Sequence, residues 1–165
     1  MTRFLLLCAC VLVVPALVSG QQAGKTEVSK QAADMGLFPA TEISWREGPG
    51  SLPKGSKISL LEGDPSKEGP FTMRLWFPDG TEIAPHWHTQ TEHVTVISGI
   101  LNIGMGDKFD RAATRPMAAG SFGYWPAQMR HYAWAKGDTT LQLHGRGPWT
   151  ITYVNPADDP RNRTK

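Results

Sequence analysis

His86 and His88 stand one residue apart, Glu92 follows close behind them, and His131 lies further along the chain. On an extended segment residues two apart leave the same face, so the rings of His86 and His88 project together. Glu92 opens an alternating run in which it shares a face with Val94 and Val96. If that face is interior, the carboxylate is buried among valines, which is costly unless a cation and neutral imidazoles accompany it. Three imidazoles and one carboxylate on rigid strands can hold a borderline divalent ion at about 2.0–2.2 Å and leave a coordination position open. Glu92 is the one member of the set able to leave an ion and act as a general base, which makes it the candidate catalytic residue.

Strands must carry these residues. Phe71, Met73, Leu75 and Phe77 alternate with Thr72, Arg74 and Trp76, the period of a half-buried strand, and Pro78-Asp79-Gly80 closes it. Further strands are expected at Ile58 to Leu61, Glu92 to Ile97, Leu101 to Met105, Ser121 to Trp125, His131 to Ala135, Leu141 to His144 and Thr150 to Val154. Turns are expected between them at Gly99, Gly106-Asp107, Gly120, Gly137-Asp138 and Gly145 to Pro148. Gly 17 and Pro 13 are too many for a helical bundle. The pattern predicts an all-β antiparallel sandwich or barrel over residues 45–155, with an N-terminal arm at 21–44 and a polar tail at 156–165.

Residues Gly80 to Gly99 read G-x5-H-x-H-x3-E-x6-G, with Gly80, His86, His88, Glu92 and Gly99 in place, which resembles the first motif of the cupin superfamily. The second motif, G-x5-P-x-G-x2-H-x3-N, is met by Gly120, Pro126 and His131, while Gln128 stands where Gly is expected and Ala135 where Asn is. The resemblance covers about Lys57 to Val154. It implies a double-stranded β-helix jelly roll with His86, His88, Glu92 and His131 as metal ligands. His93 is a rival or supporting residue, because the motif also permits its spacing from His88. The distance to Gly99 favours Glu92, and strand alternation then turns His93 away. His144, one strand beyond His131, reads as an ordinary surface or core histidine. Trp87 is expected on the opposite sheet surface, and Tyr124, Trp125, Tyr132, Trp134 and Trp149 as core or interface, with one or two at the mouth of the site.

The chain has 165 residues, with 17 Lys+Arg against 15 Asp+Glu. That balance excludes an electrostatic nucleic-acid binder. Residues 1–20 have a basic start, an apolar run from Phe4 to Val18 and the small residues Val18-Ser19-Gly20, a signal peptide pattern that predicts a secreted or periplasmic protein free of the membrane after cleavage. Cys8 and Cys10, the only cysteines, lie in that segment, which leaves the mature chain without thiol ligands. Export favours copper or zinc over manganese, iron or nickel. The leading expectation is a metal-dependent oxidoreductase, of dioxygenase or oxidase type, acting on a small oxygenated or sugar-derived compound. A non-catalytic ligand- or metal-binding cupin and a metal-dependent lyase or isomerase are the alternatives. Sheet edges leave room for a homodimer.

Overall fold

Two glycines set the shape of the barrel. In the computed structural model, which describes residues 35–163, both long strands bend at a glycine in the left-handed region: Gly99 at φ 74° and Gly137 at φ 71°. Among the described residues there are nine strands: β1 (Arg46–Glu47), β2 (Lys57–Glu62), β3 (Gly69–Phe77), β4 (Glu82–His88), β5 (Glu92–Met105), β6 (Arg115–Ala118), β7 (Phe122–Trp125), β8 (His131–Gly147) and β9 (Ile151–Tyr153). All pair antiparallel.

β5 and β8 lie beside each other along their length, from His93↔His144 to Met105↔His131, with the register shifting on either side of Ser98. Their bends divide the sheet into two layers. The first half of β5 and the second half of β8 join β7 and β3, with β2 and β1 beyond. The other two halves join β6, β4 and β9. This is the jelly roll the motif implies, two sheets facing across one core. Phe71, Met73, Leu75 and Phe77 are buried as their alternation predicts, and meet Val94, Val96, Leu101, Leu141 and Leu143.

The expected turns at Gly99 and Gly137-Asp138 are bends inside continuous strands. A glycine at positive φ with a bulge beside it redirects a strand without ending its ladder. At Gly99 there is also no space: an added Cβ would lie 2.5 Å from the Asp138 carbonyl oxygen and 2.8 Å from Thr139 Cα. Strand β6 departs from the expected set, because Pro116 interrupts its sequence. It is an edge strand paired only with β5, where a missing N–H is tolerated. The expected polar tail is structured as far as residue 163. Two short turns at Pro156–Asp158 and Pro160–Asn162 place Asp159 in a buried position, with Arg161 closing on its carboxylate. The expected signal peptide and residues 21–34 of the arm lie outside the described residues; residues 36–42 are exposed. No helix among the described residues is long and apolar enough to cross a membrane.

The two kinds of glycine are separable by substitution. Gly80, also at positive φ (76°), has open space where a Cβ would stand, with no atom within 4 Å, so Gly80→Ala should cost only the backbone penalty of about 1–2 kcal/mol. Gly99→Ala adds a collision with backbone and should cost clearly more, about 3 kcal/mol or above. Denaturant midpoints of the two variants measure the difference, and equal losses would contradict the close-packed bend.

Candidate metal centre

Strand β4 supplies His86 and His88, and the ladder places His86 directly opposite His131 at the start of β8. Glu92 opens β5 after the short turn that follows β4. All four side chains are buried, with relative exposures of 4%, 4%, 2% and 7% for His86, His88, His131 and Glu92. The ring centroids of His86 and His131 are 4.2 Å apart, those of His86 and His88 4.9 Å, and those of His88 and His131 5.3 Å. One ligand nitrogen from each of the three lies within 4.8 Å of the others.

Each ring is held by the same device. Nδ1 of His86 donates to the Ala84 carbonyl at 2.8 Å, Nδ1 of His88 to the Thr150 carbonyl at 2.9 Å, and Nδ1 of His131 to the Met129 carbonyl at 2.9 Å. A carbonyl oxygen can only accept, so the proton of each neutral ring sits on Nδ1 and the Nε2 lone pair is presented inward. Glu92 Oε2 lies 3.3 Å from Nε2 of His88 and 3.2 Å from Nε2 of His131. With Nδ1 protonated, these contacts bring acceptor against acceptor, and Nε2 of His88 has no hydrogen-bond partner. The separations suit atoms sharing one ion: donors about 2.1 Å from a common centre, at octahedral or tetrahedral angles, are about 3.0–3.4 Å apart. The three imidazoles therefore fit a borderline divalent metal ion, with the Glu92 carboxylate within reach of two of them.

The electrostatics agree. Burial, and then the neighbouring His131 and His88, lower the pKa of His86 well below 6.5, which keeps its ring neutral. Burial raises Glu92, and the opposing pull of His88 and His131 that lowers it belongs to rings carrying positive charge; with the rings neutral, a cation held between them would take over that role and keep the carboxyl an anion.

His93 does not face this site. It lies on the outer face of β5, where its ring stacks on its cross-strand neighbour His144 at 4.9 Å and 13° and flanks Tyr124 at 6.1 Å. Trp87 is half-buried, between His86 and His88 in sequence. The departure at Gln128 is absorbed locally: Gln128 takes φ 64°, the conformation a glycine would adopt there, and its N–H donates to the His88 carbonyl at 2.8 Å. Ala135, in place of Asn, is buried in the core, and its N–H donates to the Thr81 carbonyl.

Two aromatic partners of the candidate ligands carry no signal in the sequence. Trp149 stacks on His88 at 4.1 Å and 15°, and Trp125 on His131 at 5.3 Å and 16°. Both tryptophans belong to the aromatic residues of the later strands, but nothing in their spacing ties them to a histidine. The carbonyls of Ala84, Met129 and Thr150 are equally silent, since every residue has one. Above the quartet lies a cavity of about 280 Å³ with largely apolar walls, including Met73, Leu75, Ile103 and Leu143.

A family model described as the cupin domain matches residues 74–144, a span that holds all four quartet residues and both bends. Over these residues the sequence matches the cupin domain, and solved cupins share its fold. A candidate acetylacetone dioxygenase of Methylibium petroleiphilum PM1 superposes on this chain with a TM-score of 0.57 at 21% identity, covering 75% of this chain and 83% of its own. An RmlC-like cupin from Ralstonia eutropha JMP134 also reaches 0.57, at 20% identity, covering 79% and 78%. KdgF from a Halomonas species gives 0.51 at 16% identity, covering 67% and 93%. These likenesses concern the fold. The search of curated proteins found no match to this sequence.

Zinc titrated into the metal-free protein should bind at one ion per chain and raise the thermal midpoint. His86→Ala or His131→Ala should weaken it by at least about a hundredfold, whereas His93→Ala and His144→Ala should stay close to the parent protein. The neutral state of His86 is a source of stability above pH 6.5, its value in the unfolded chain. Because the folded value is lower, that stability declines as pH falls below 6.5, and zinc affinity declines with it. Calorimetric zinc titrations from pH 5 to 8 measure the trend, and affinity unchanged at pH 5 would contradict it.

Proposed function

We propose that this cupin is a metal-dependent oxidoreductase of dioxygenase or oxidase type acting on a small oxygenated compound. The observation that carries the reading is the convergence of three Nδ1-anchored imidazoles and one ionised carboxylate at the floor of an apolar cavity. His86, His88 and His131 would hold the ion through Nε2, with Glu92 as fourth ligand. Bound there, a transition metal supplies Lewis acidity and, if redox-active, electron transfer to or from a ligated oxygen compound. Copper and zinc suit the N/O donor set and an export route, and only copper of the two can cycle electrons.

The chain's own groups have separable tasks. The three backbone carbonyls fix the rings, so that the open side of the quartet faces the cavity. Trp125 and Trp149 cover the ligand rings and, with the apolar walls, keep bulk water out. Glu92, ionised and buried, accepts a proton from an enol, phenol or hydroxyl brought to the centre, at Oε2 or Oε1. The fold alone does not select this reaction over lyase or isomerase chemistry.

Oxygen uptake by the metal-loaded protein, run with copper and with zinc across enolic and phenolic substrates, tests the reading. Activity should require copper and should fall by at least about a hundredfold in Glu92→Gln, which keeps the size of the side chain but cannot accept the proton. Uptake undiminished in His86→Ala and His131→Ala would sink the proposal. The reading also places the protein outside the cytoplasm. Mature protein recovered from the periplasm or medium should begin at Gln21, and a start at Met1 would count against export.

A further inference from the structure

The acceptors that hold the three rings are not alike. Nδ1 of His86 reaches the carbonyl of Ala84 and Nδ1 of His131 that of Met129, each two residues back along the same stretch of chain. His88 turns instead to Thr150, 62 residues further on. Two of the orientations are therefore built locally, whereas the third exists only while another segment of the fold keeps its place. That segment, residues 148–150, is irregular chain between β8 and β9. It also carries Trp149, whose ring rests on His88, and both Trp149 and Thr150 line the cavity.

Strand pairing does not hold this segment. The ladder of β4 and β9 runs from His86↔Tyr153 to His88↔Ile151 and stops one pair short of Thr150. In that register the residue facing Thr150 would be Thr89, and its side chain takes over from the ladder. The Thr89 hydroxyl donates to the Pro148 carbonyl at 3.0 Å and accepts the Thr150 N–H at 3.2 Å. One hydroxyl can do both, since it carries one donor and two acceptor lone pairs. The peptide groups on either side of Trp149 are thus tied to the residue that follows His88, while the Trp149 backbone N–H donates to the Pro65 carbonyl at 2.7 Å. Besides His88 itself, no other side chain among the described residues hydrogen-bonds to the backbone of residues 148–150.

We propose that Thr89 is a positioning residue of the metal centre: its hydroxyl fixes residues 148–150, and through the Thr150 carbonyl it sets the Nδ1–H of His88 and so the aim of Nε2. Thr89 acts through Thr150 and touches no ion. Without the hydroxyl, the Pro148 carbonyl and the Thr150 N–H turn to water, which satisfies both and fixes neither. The carbonyl that orients His88 then loosens, while those that orient His86 and His131 stay in place. The assignment rests on the metal-site reading and extends it to an exposed residue just past β4, on which one candidate ligand and one wall of the cavity both depend.

The test compares, in the full chain, Thr89→Val, which keeps the shape of the side chain without its hydroxyl, and Thr89→Ser, which keeps the hydroxyl. Thr72→Val is the control, since the Thr72 hydroxyl donates to Glu62 at 3.2 Å on the outer face of β3. Calorimetric zinc affinity should weaken about three- to tenfold in Thr89→Val, less than the roughly ten- to hundredfold that follows loss of a ligand's direct partner. Thr89→Ser and Thr72→Val should bind zinc as the parent does. A spectroscopic readout needs no metal. In the ¹⁵N spectrum of the metal-free protein the His88 Nδ1–H resonance, assigned by its loss in His88→Gln, should be sharp in the parent and in Thr89→Ser. In Thr89→Val it should broaden or vanish by exchange with water, while those of His86 and His131 persist. A parent that takes up no zinc overturns the metal-site reading and this assignment with it. Zinc uptake by the parent with equal affinity in Thr89→Val, a weakening shared by Thr72→Val, or a His88 resonance as sharp in Thr89→Val as in the parent overturns the assignment of Thr89 alone. Should Thr89→Val not fold, amide exchange in the parent decides. A Thr150 N–H protected like a strand amide supports the tie to Thr89, and one exchanging like an unbonded loop amide overturns it.

Discussion

The site depends on where three protons sit. Each of His86, His88 and His131 gives its Nδ1–H to a main-chain carbonyl, and a carbonyl has no proton to give back. Three Nε2 lone pairs then converge on one small volume, with the Glu92 carboxylate beside two of them. Burial and mutual proximity resist charging His86, and burial resists charging Glu92 unless positive charge stands beside it. An arrangement of acceptors alone is unfavourable in a dry interior unless a cation completes it. The same hydrogen bonds that orient the rings thus create the demand for an ion.

The scaffold meets that demand by folding one pair of strands through two layers. β5 and β8 remain partners on both sides of their bends, so residues far apart in sequence are placed by a shared ladder and not by loops. His131 is opposite His86 by strand register, which fixes their distance as firmly as any backbone spacing in the sheet. Only the mouth of the cavity is built from less regular chain, including Ser51, Thr150 and Arg161. The three histidines stand on paired strands, and the rim is made of shorter, less regular segments.

Much of this is legible in the sequence, for physical reasons that differ by element. Period-two alternation marks β3, because its inner face is core and its outer face is not. The His-x-His spacing places two rings on one face of β4, and the run of Glu92, Val94 and Val96 places the carboxylate on an inner face of β5. Alternation also predicts that His93 turns outward. The bends at Gly99 and Gly137 read as chain reversals in one dimension, since glycine marks both and only the ladder tells them apart. β6 is hidden by Pro116, whose missing N–H is tolerable only because the strand has a single neighbour. Backbone acceptors and the stacking of Trp125 and Trp149 on the ligand rings have no one-dimensional signature. Gln128 shows the converse: a departure from the motif that leaves the backbone conformation unchanged.

The division into two layers has a mechanical side. His86, His88 and His131 stand on the layer built from β4 and the first half of β8, whereas Glu92 stands on the layer built from β7 and the second half of β8. An ion that binds both donor types acts as a rivet through the sandwich. Any breathing that separates the layers lengthens the contacts to one donor type, and tightening around the ion draws the layers together. The aperture of the barrel and the grip on the ion are therefore one coordinate, set at the two glycine bends.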